Sequence, residues 1–140
     1  MASIVVGYVP GAEGAAALAQ ARRVAELFQD ELAVVNVRTT GRGLGHGHAH
    51  GEDAADDLNS IAAELESAGL SFEIIHPEGD YDPADEILAV ASRLGARLIV
   101  VGLRHRTPVG KLFLGSTAQR ILLEASCPVL AVKAGQALRD

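Results

Sequence analysis

The sequence predicts an α/β fold, an open doubly wound sheet of five parallel strands with helices on both faces. Three observations lead there. Five short apolar runs rich in β-branched residues, at 3–8, 32–37, 71–75, 98–101 and 128–132, alternate with stretches of helical periodicity. Hydrophobic residues make up 49% of the chain but aromatics only 4%, the composition of buried parallel strands under alanine-faced helices rather than of an antiparallel sandwich. Each run is also separated from the next by enough chain for a crossover helix, and such strand–helix–strand units are parallel and right-handed. With 140 residues the chain is sized for a single unit, 1–140, long enough to remove roughly 68–70% of its unfolded surface from water.

Taken in order, residues 3–8 form the first strand, and the helix at 13–28 presents Leu18, Ala21, Ala25 and Phe28 on one face. The second strand, 32–37, ends at Val37. The second helix shows Leu58, Ile61, Ala62 and Leu65 and stops at Gly69, glycine being the residue that takes the left-handed turn at helix ends most readily. After the strand at 71–75 comes the most fully signalled helix. Asp82 caps it, Pro83 suits its first turn, Asp85 and Glu86 face the positive dipole end, Ile87, Val90, Ala91 and Leu94 make the apolar stripe, and Gly95 ends it. The fourth strand is 98–101. The last helix opens on Ser116-Thr117-Ala118-Gln119, a capping-box spacing with Ser116 as the cap, and turns Ala118, Ile121, Leu122 and Ala125 inward before the strand at 128–132.

Residues 38–53 fit no element and read as a mobile glycine- and histidine-rich loop, long for a compact fold. Its His46, His48, His50, Glu52 and Asp53 are donors suited to Zn²⁺, Ni²⁺ or Cu²⁺. Their spacing matches no closed structural site, and five glycines preorganise nothing, so the expectation is a loop without metal.

The first residues lack a basic region and a signal-peptide core, which needs about 7–15 apolar residues. No stretch approaches the roughly 18–20 apolar residues of a membrane span, and the lone Cys127 has no internal disulfide partner. The expectation is a cytoplasmic protein with no membrane partner. A net charge of −6 argues against nucleic acid, whose binding rests on cations that neutralise phosphates. The charge is nevertheless uneven. No acid falls between Ile87 and Leu123, while Arg93, Arg97, Arg104, Arg106, Lys111 and Arg120 supply half of the chain's 12 cations there. A positive region on an acidic body suits a small anionic ligand, although a solvated face reads the same way.

Catalytic patterns are missing. The strand-to-helix turns do not spell a nucleophile elbow, Cys127 before Pro128 reads as a small buried residue, and His76 before Pro77 as a solvated one. The sequence therefore predicts no catalytic residues and no enzyme. Gly110-Lys111 is followed by Leu112, so there is no P-loop, and Gly7, Gly11 and Gly14 are spaced wrongly for a dinucleotide fingerprint. The segment from Gly102 to Ser116 remains. It links the end of a strand to the start of a helix, the place where open α/β sheets bind ligands and where free N–H groups meet phosphate. Gly102, Gly115, Ser116 and Thr117, with Arg104, Arg106 and Lys111 nearby, are the predicted anion site. Ser116 serves equally well as a plain cap.

Three stretches resemble the universal stress protein (UspA-type) family across essentially the whole chain: Ile4-Val5-Val6-Gly7-Tyr8, the segment from Val100-Val101-Gly102 to Gly115-Ser116, and Ala125-Ser126-Cys127-Pro128-Val129-Leu130-Ala131-Val132-Lys133. The resemblance implies an adenine-nucleotide α-hydrolase-like sheet in the order 3-2-1-4-5 and a homodimer paired through the strand of Val129, Leu130, Ala131 and Val132. In one branch of the family it implies ATP, with Mg²⁺, bound by Gly-x2-Gly-x9-Gly-Ser/Thr. Matched to that pattern, Gly102, Gly115 and Ser116 are present, and His105 occupies the second glycine position. Val9 stands where ATP-binding members carry an aspartate. The implied nucleotide-binding set is Gly7, Tyr8, Val9, Val37, Val101, Gly102, Arg104, His105, Arg106, Lys111, Gly115, Ser116 and Thr117. The alternative is a dimeric stress-response interaction module that binds no nucleotide. If His105 had to take the left-handed backbone of a glycine, the cost would be about 1–2 kcal/mol.

Overall fold

The computed structural model describes residues 1–37, 50–105 and 112–134. Its elements are β1 (Ser3–Tyr8), α1 (Ala12–Phe28), β2 (Glu31–Asn36), α2 (His50–Ser67), β3 (Phe72–Ile75), α3 (Pro83–Leu94), β4 (Ala96–His105), β5 (Leu112–Phe113), α4 (Ser116–Glu124) and β6 (Val129–Lys133). β3, β2, β1, β4 and β6 lie side by side and all run parallel, which is the expected 3-2-1-4-5 order when the parallel strands alone are numbered. The short β5 is an addition. It pairs antiparallel with the end of β4, Arg104 opposite Phe113 and His105 opposite Leu112.

Alternation along the strands divides the core. Ile4, Val6, Leu32, Val34 and Val100 face α1 and α2, while Val5, Ala33, Val35, Ile99 and Val101 face α3 and α4. Along α1 the fully buried stripe is Ala17, Ala21 and Ala25, at the four-residue spacing that keeps one helix face together. Small side chains let this helix lie close to the sheet. Gly14 lets the helix start close on the turn that follows β1, since a Cβ there would stand 1.7 Å from the carbonyl oxygen of Val9. Phe28, expected on the buried face, is 54% exposed and lies under Arg97, whose guanidinium carbon sits 4.5 Å from the ring centroid. On α4 Ala118 and Ile121 are buried as expected, but Leu122 is turned outward.

The start of α3 follows its signals. Asp82 is the N-cap and accepts a hydrogen bond from the Ala84 N–H at 3.2 Å, and Gly95 ends the helix with φ of +60°. Two expectations change. α2 begins at His50, so the excursion does not extend to Asp53, and 38–49, which holds His46 and His48, lies outside the described residues. β4 runs on from Val101 to His105 because the chain beyond Gly102 stays extended and acquires β5 as a partner.

Candidate functional site

Parallel strands bring their carboxyl ends to one pole, and the helices that follow them start there. Tyr8, at the end of β1, accepts a 2.8 Å hydrogen bond at its carbonyl from the Val37 N–H, so the ladder between β1 and β2 carries on past Asn36. Gly7 and Val101 belong to the floor of this pole. Val101 is buried among the side chains facing α3 and α4, and a Cβ on Gly7 would come within 2.7 Å of Ile87 Cδ1. Val9 is half-buried and packs against the same cluster.

Gly102 has a structural duty. A Cβ there would lie 2.3 Å from the carbonyl oxygen of Glu13, so its absence is what lets the first turn of α1 rest on β4. Gly115 has none of this kind: its φ is −67°, and nothing among the described residues comes within 4 Å of a Cβ built on it. Gly115, not Ser116, is the N-cap of α4. Among the described residues no side chain caps this helix, and no acid occupies its first turn, so the expected capping box with Ser116 as the cap does not form. Ser116 is exposed and Thr117 half-buried, both in the first turn.

The cationic block does not converge as a whole. β4 advances about 3.3 Å per residue, so Arg97 lies some five residues from Gly102, at the opposite pole. There Arg97 Nε donates to Asp30 Oδ2 at 2.5 Å, and this bond holds the Asp30 carboxyl below its ordinary range. Arg93 sits in the last turn of α3, toward that same pole. Arg120 is bound by acids: Nη1 donates to Asp82, Nη2 to Asp85 Oδ1 at 2.5 Å, and Nε to Glu124 Oε2 at 3.2 Å. Only Arg104, Arg106 and Lys111 of the block remain on the stretch from Gly102 to Ser116. Arg104 and His105 lie in β4, whereas Arg106 and Lys111 fall outside the described residues. His105 is not left-handed, Gln29 being the one non-glycine with positive φ among the described residues, and the cost attached to that conformation does not arise.

Sequence reasoning passed over a polar group at the same pole. Asn36 is buried at the end of β2, its amide meets His76 Nδ1 at 3.4 Å, and the Tyr81 hydroxyl donates to its carbonyl at 3.5 Å. The signal available was a polar residue closing an otherwise apolar strand. Cys127 is half-buried and its thiol is pushed up by burial, the opposite of an activated nucleophile. Among the described residues no group of three or more histidine, cysteine or carboxylate side chains is placed to hold a metal, and no helix is long and apolar enough to cross a membrane. A groove of about 330 Å³ between α1 and α2, crossed by the pair of Arg22 and Glu64, shares none of the predicted site residues.

Comparison with known proteins agrees with this architecture. Residues 1–133 match the model of the universal stress protein family. A universal stress protein of Mycolicibacterium smegmatis is 40% identical over 131 residues, 93% of this chain and 96% of its own length. The structure of a universal stress protein from Archaeoglobus fulgidus superposes with a TM-score of 0.75 at 27% identity, covering 95% of this chain and 99% of that one. A universal stress protein structure from the same organism in complex with dAMP superposes at 0.71 with 24% identity, covering 95% and 98%. A whole-length family match, a close relative of the same length and the shared sheet order together establish that this chain belongs to the universal stress protein family.

Proposed function

We propose that this chain is a cytoplasmic, non-enzymatic regulatory protein whose ligand is an adenine nucleotide, ATP with Mg²⁺, and whose occupancy biases the binding of protein partners. The observation that carries this reading is the bare start of α4. A nine-residue helix with neither a capping side chain nor an acid in its first turn leaves N–H groups and the positive end of its dipole available to phosphate oxygens. Gly115 adds to this, because its missing side chain serves no contact and lets an anion approach the backbone. The hydroxyls of Ser116 and Thr117 are further donors, Arg104, Arg106 and Lys111 supply charge from the preceding segment, and the His105 imidazole offers a hydrogen-bonding group. The nucleoside is assigned to Tyr8, Val9, Val37 and Gly102, with Gly7 and Val101 beneath. The dAMP bound by the Archaeoglobus protein of this fold supports the ligand class.

Val9 favours a second reading, an interaction module without nucleotide, since an apolar side chain stands where the resemblance places a carboxylate. Both readings share a homodimer through β6. That strand has β4 on one side and no strand of the described residues on the other, and its Leu130 is 37% exposed. An unpaired apolar edge is covered by a second copy most simply through two-fold pairing. Isothermal titration with ATP and Mg²⁺ separates the readings. Saturable micromolar binding is expected, and no heat at millimolar ATP would leave the interaction module. Light scattering should show a dimer that Leu130→Lys converts to monomer, while a monomeric parent protein would remove the dimer from both readings.

A further inference from the structure

We infer that Arg120 is a positioning and screening residue for the α4 site: it offsets part of the negative charge at the start of α3 and so eases the approach of an anion to the start of α4. This rests on the anion site proposed above. α3 and α4 pack on the same face of the sheet, and both begin at its carboxyl pole. α3 brings Asp82, Asp85 and Glu86 to that pole. Left alone, these carboxylates would repel a phosphate group at the neighbouring helix start. Arg120 stands one turn below Ser116 on α4, at the i, i+4 position that places two side chains over one another. Its guanidinium forks between Asp82 and Asp85 on α3 and takes Glu124 on its own helix. One cation therefore joins the two helices and offsets part of the charge between them. Arginine suits the task because its fixed fork reaches several carboxylates at once and stays charged. The block of cations in the sequence thus contains one member that acts on an anion through acids, not by touching it.

The test measures affinity for ATP with Mg²⁺, and separately for inorganic pyrophosphate, in the full chain and four variants. Arg120→Ala should weaken both ligands about tenfold, the order expected when a local ion pair is broken close to a charged ligand. Asp82→Asn with Asp85→Asn should strengthen both. The triple variant, Arg120→Ala with both asparagines, should return to within about threefold of the parent, because the two α3 acids that Arg120 holds are then gone with it. Arg120→Lys should keep most of the affinity. The triple variant separates screening from bracing: if Arg120 merely braces α4, removing its partners as well restores nothing. Unchanged affinity in Arg120→Ala, or a triple variant no better than Arg120→Ala, overturns the inference and leaves the nucleotide site standing. Binding of pyrophosphate without ATP, still sensitive to Arg120, supports the inference and removes the nucleotide. If neither ligand binds any of the proteins, both ideas fall. Thermal melts of each variant show that the fold persists.

Discussion

The starts of α3 and α4 lie on one face of the sheet and at one pole, yet they answer the same physical demand in opposite ways. Each exposes unpaired N–H groups and about half a positive charge. α3 meets this from within, with Asp82 as cap, Pro83 next, and Asp85 and Glu86 in the first turn. α4 has Gly115 at its N-cap, with no side-chain cap, and no acid in its first turn. A helix start that the chain satisfies itself is structural, and one left bare is where the proposed anion would sit. The same contrast separates the two motif glycines, since Gly102 is filled by the backbone of Glu13 and Gly115 by nothing described.

The largest expected effect breaks the glycine comparison. Gly102→Ala drives a Cβ to 2.3 Å from a backbone oxygen that has no flexible end to move, so urea unfolding should show a loss of about 3 kcal/mol. Gly115→Ala should change stability by less than about 1 kcal/mol, the scale of a cap preference, while weakening ATP about tenfold, which corresponds to 1.4 kcal/mol. Equal stability losses at both positions would erase the distinction.

Next in size, Asp82→Ala removes the cap of α3 and should cost about 1 kcal/mol by the same unfolding measurement. A smaller effect sharpens the helix comparison. Ser116→Asp supplies the first turn of α4 with the acid it lacks and should raise stability by about 0.5 kcal/mol, while reducing nucleotide affinity. A gain in both would mean that the bare start serves no anion. The far pole supplies a control. Because Arg97 depresses the folded-state value of Asp30, that pair stabilises the protein above the unfolded value of about 3.9 and the contribution is lost as pH falls through the lower folded one. Asp30→Asn should flatten the fall of the melting temperature on acidification below about pH 4 without altering ATP binding.

Much of this was readable in the sequence where signals are local. The span of β1 was read to the residue, and α3 was legible because its cap, proline, first-turn acids and final glycine lie within fourteen positions. The start of α4 was misread because Ser116 fits a capping box by spacing, and only geometry shows Gly115 taking the place. β4 was read short because Arg104 and His105 break its apolar pattern, although a strand beside a hairpin partner tolerates charge. The cations were read as one patch because sequence adjacency hides the length of a strand, which carries Arg97 to the far pole. The partners of Arg120 on α3, 35 and 38 positions away, leave no local trace.

The most direct test of the bare start is an amide chemical-shift titration of the full chain with ATP and Mg²⁺. The account predicts saturating shifts at Gly115, Ser116 and Thr117, with Ala84 and Asp85 at the start of α3 almost unmoved. Saturating shifts at the start of α3 with none at Gly115 to Thr117, or none at either helix start at millimolar ATP, would contradict it.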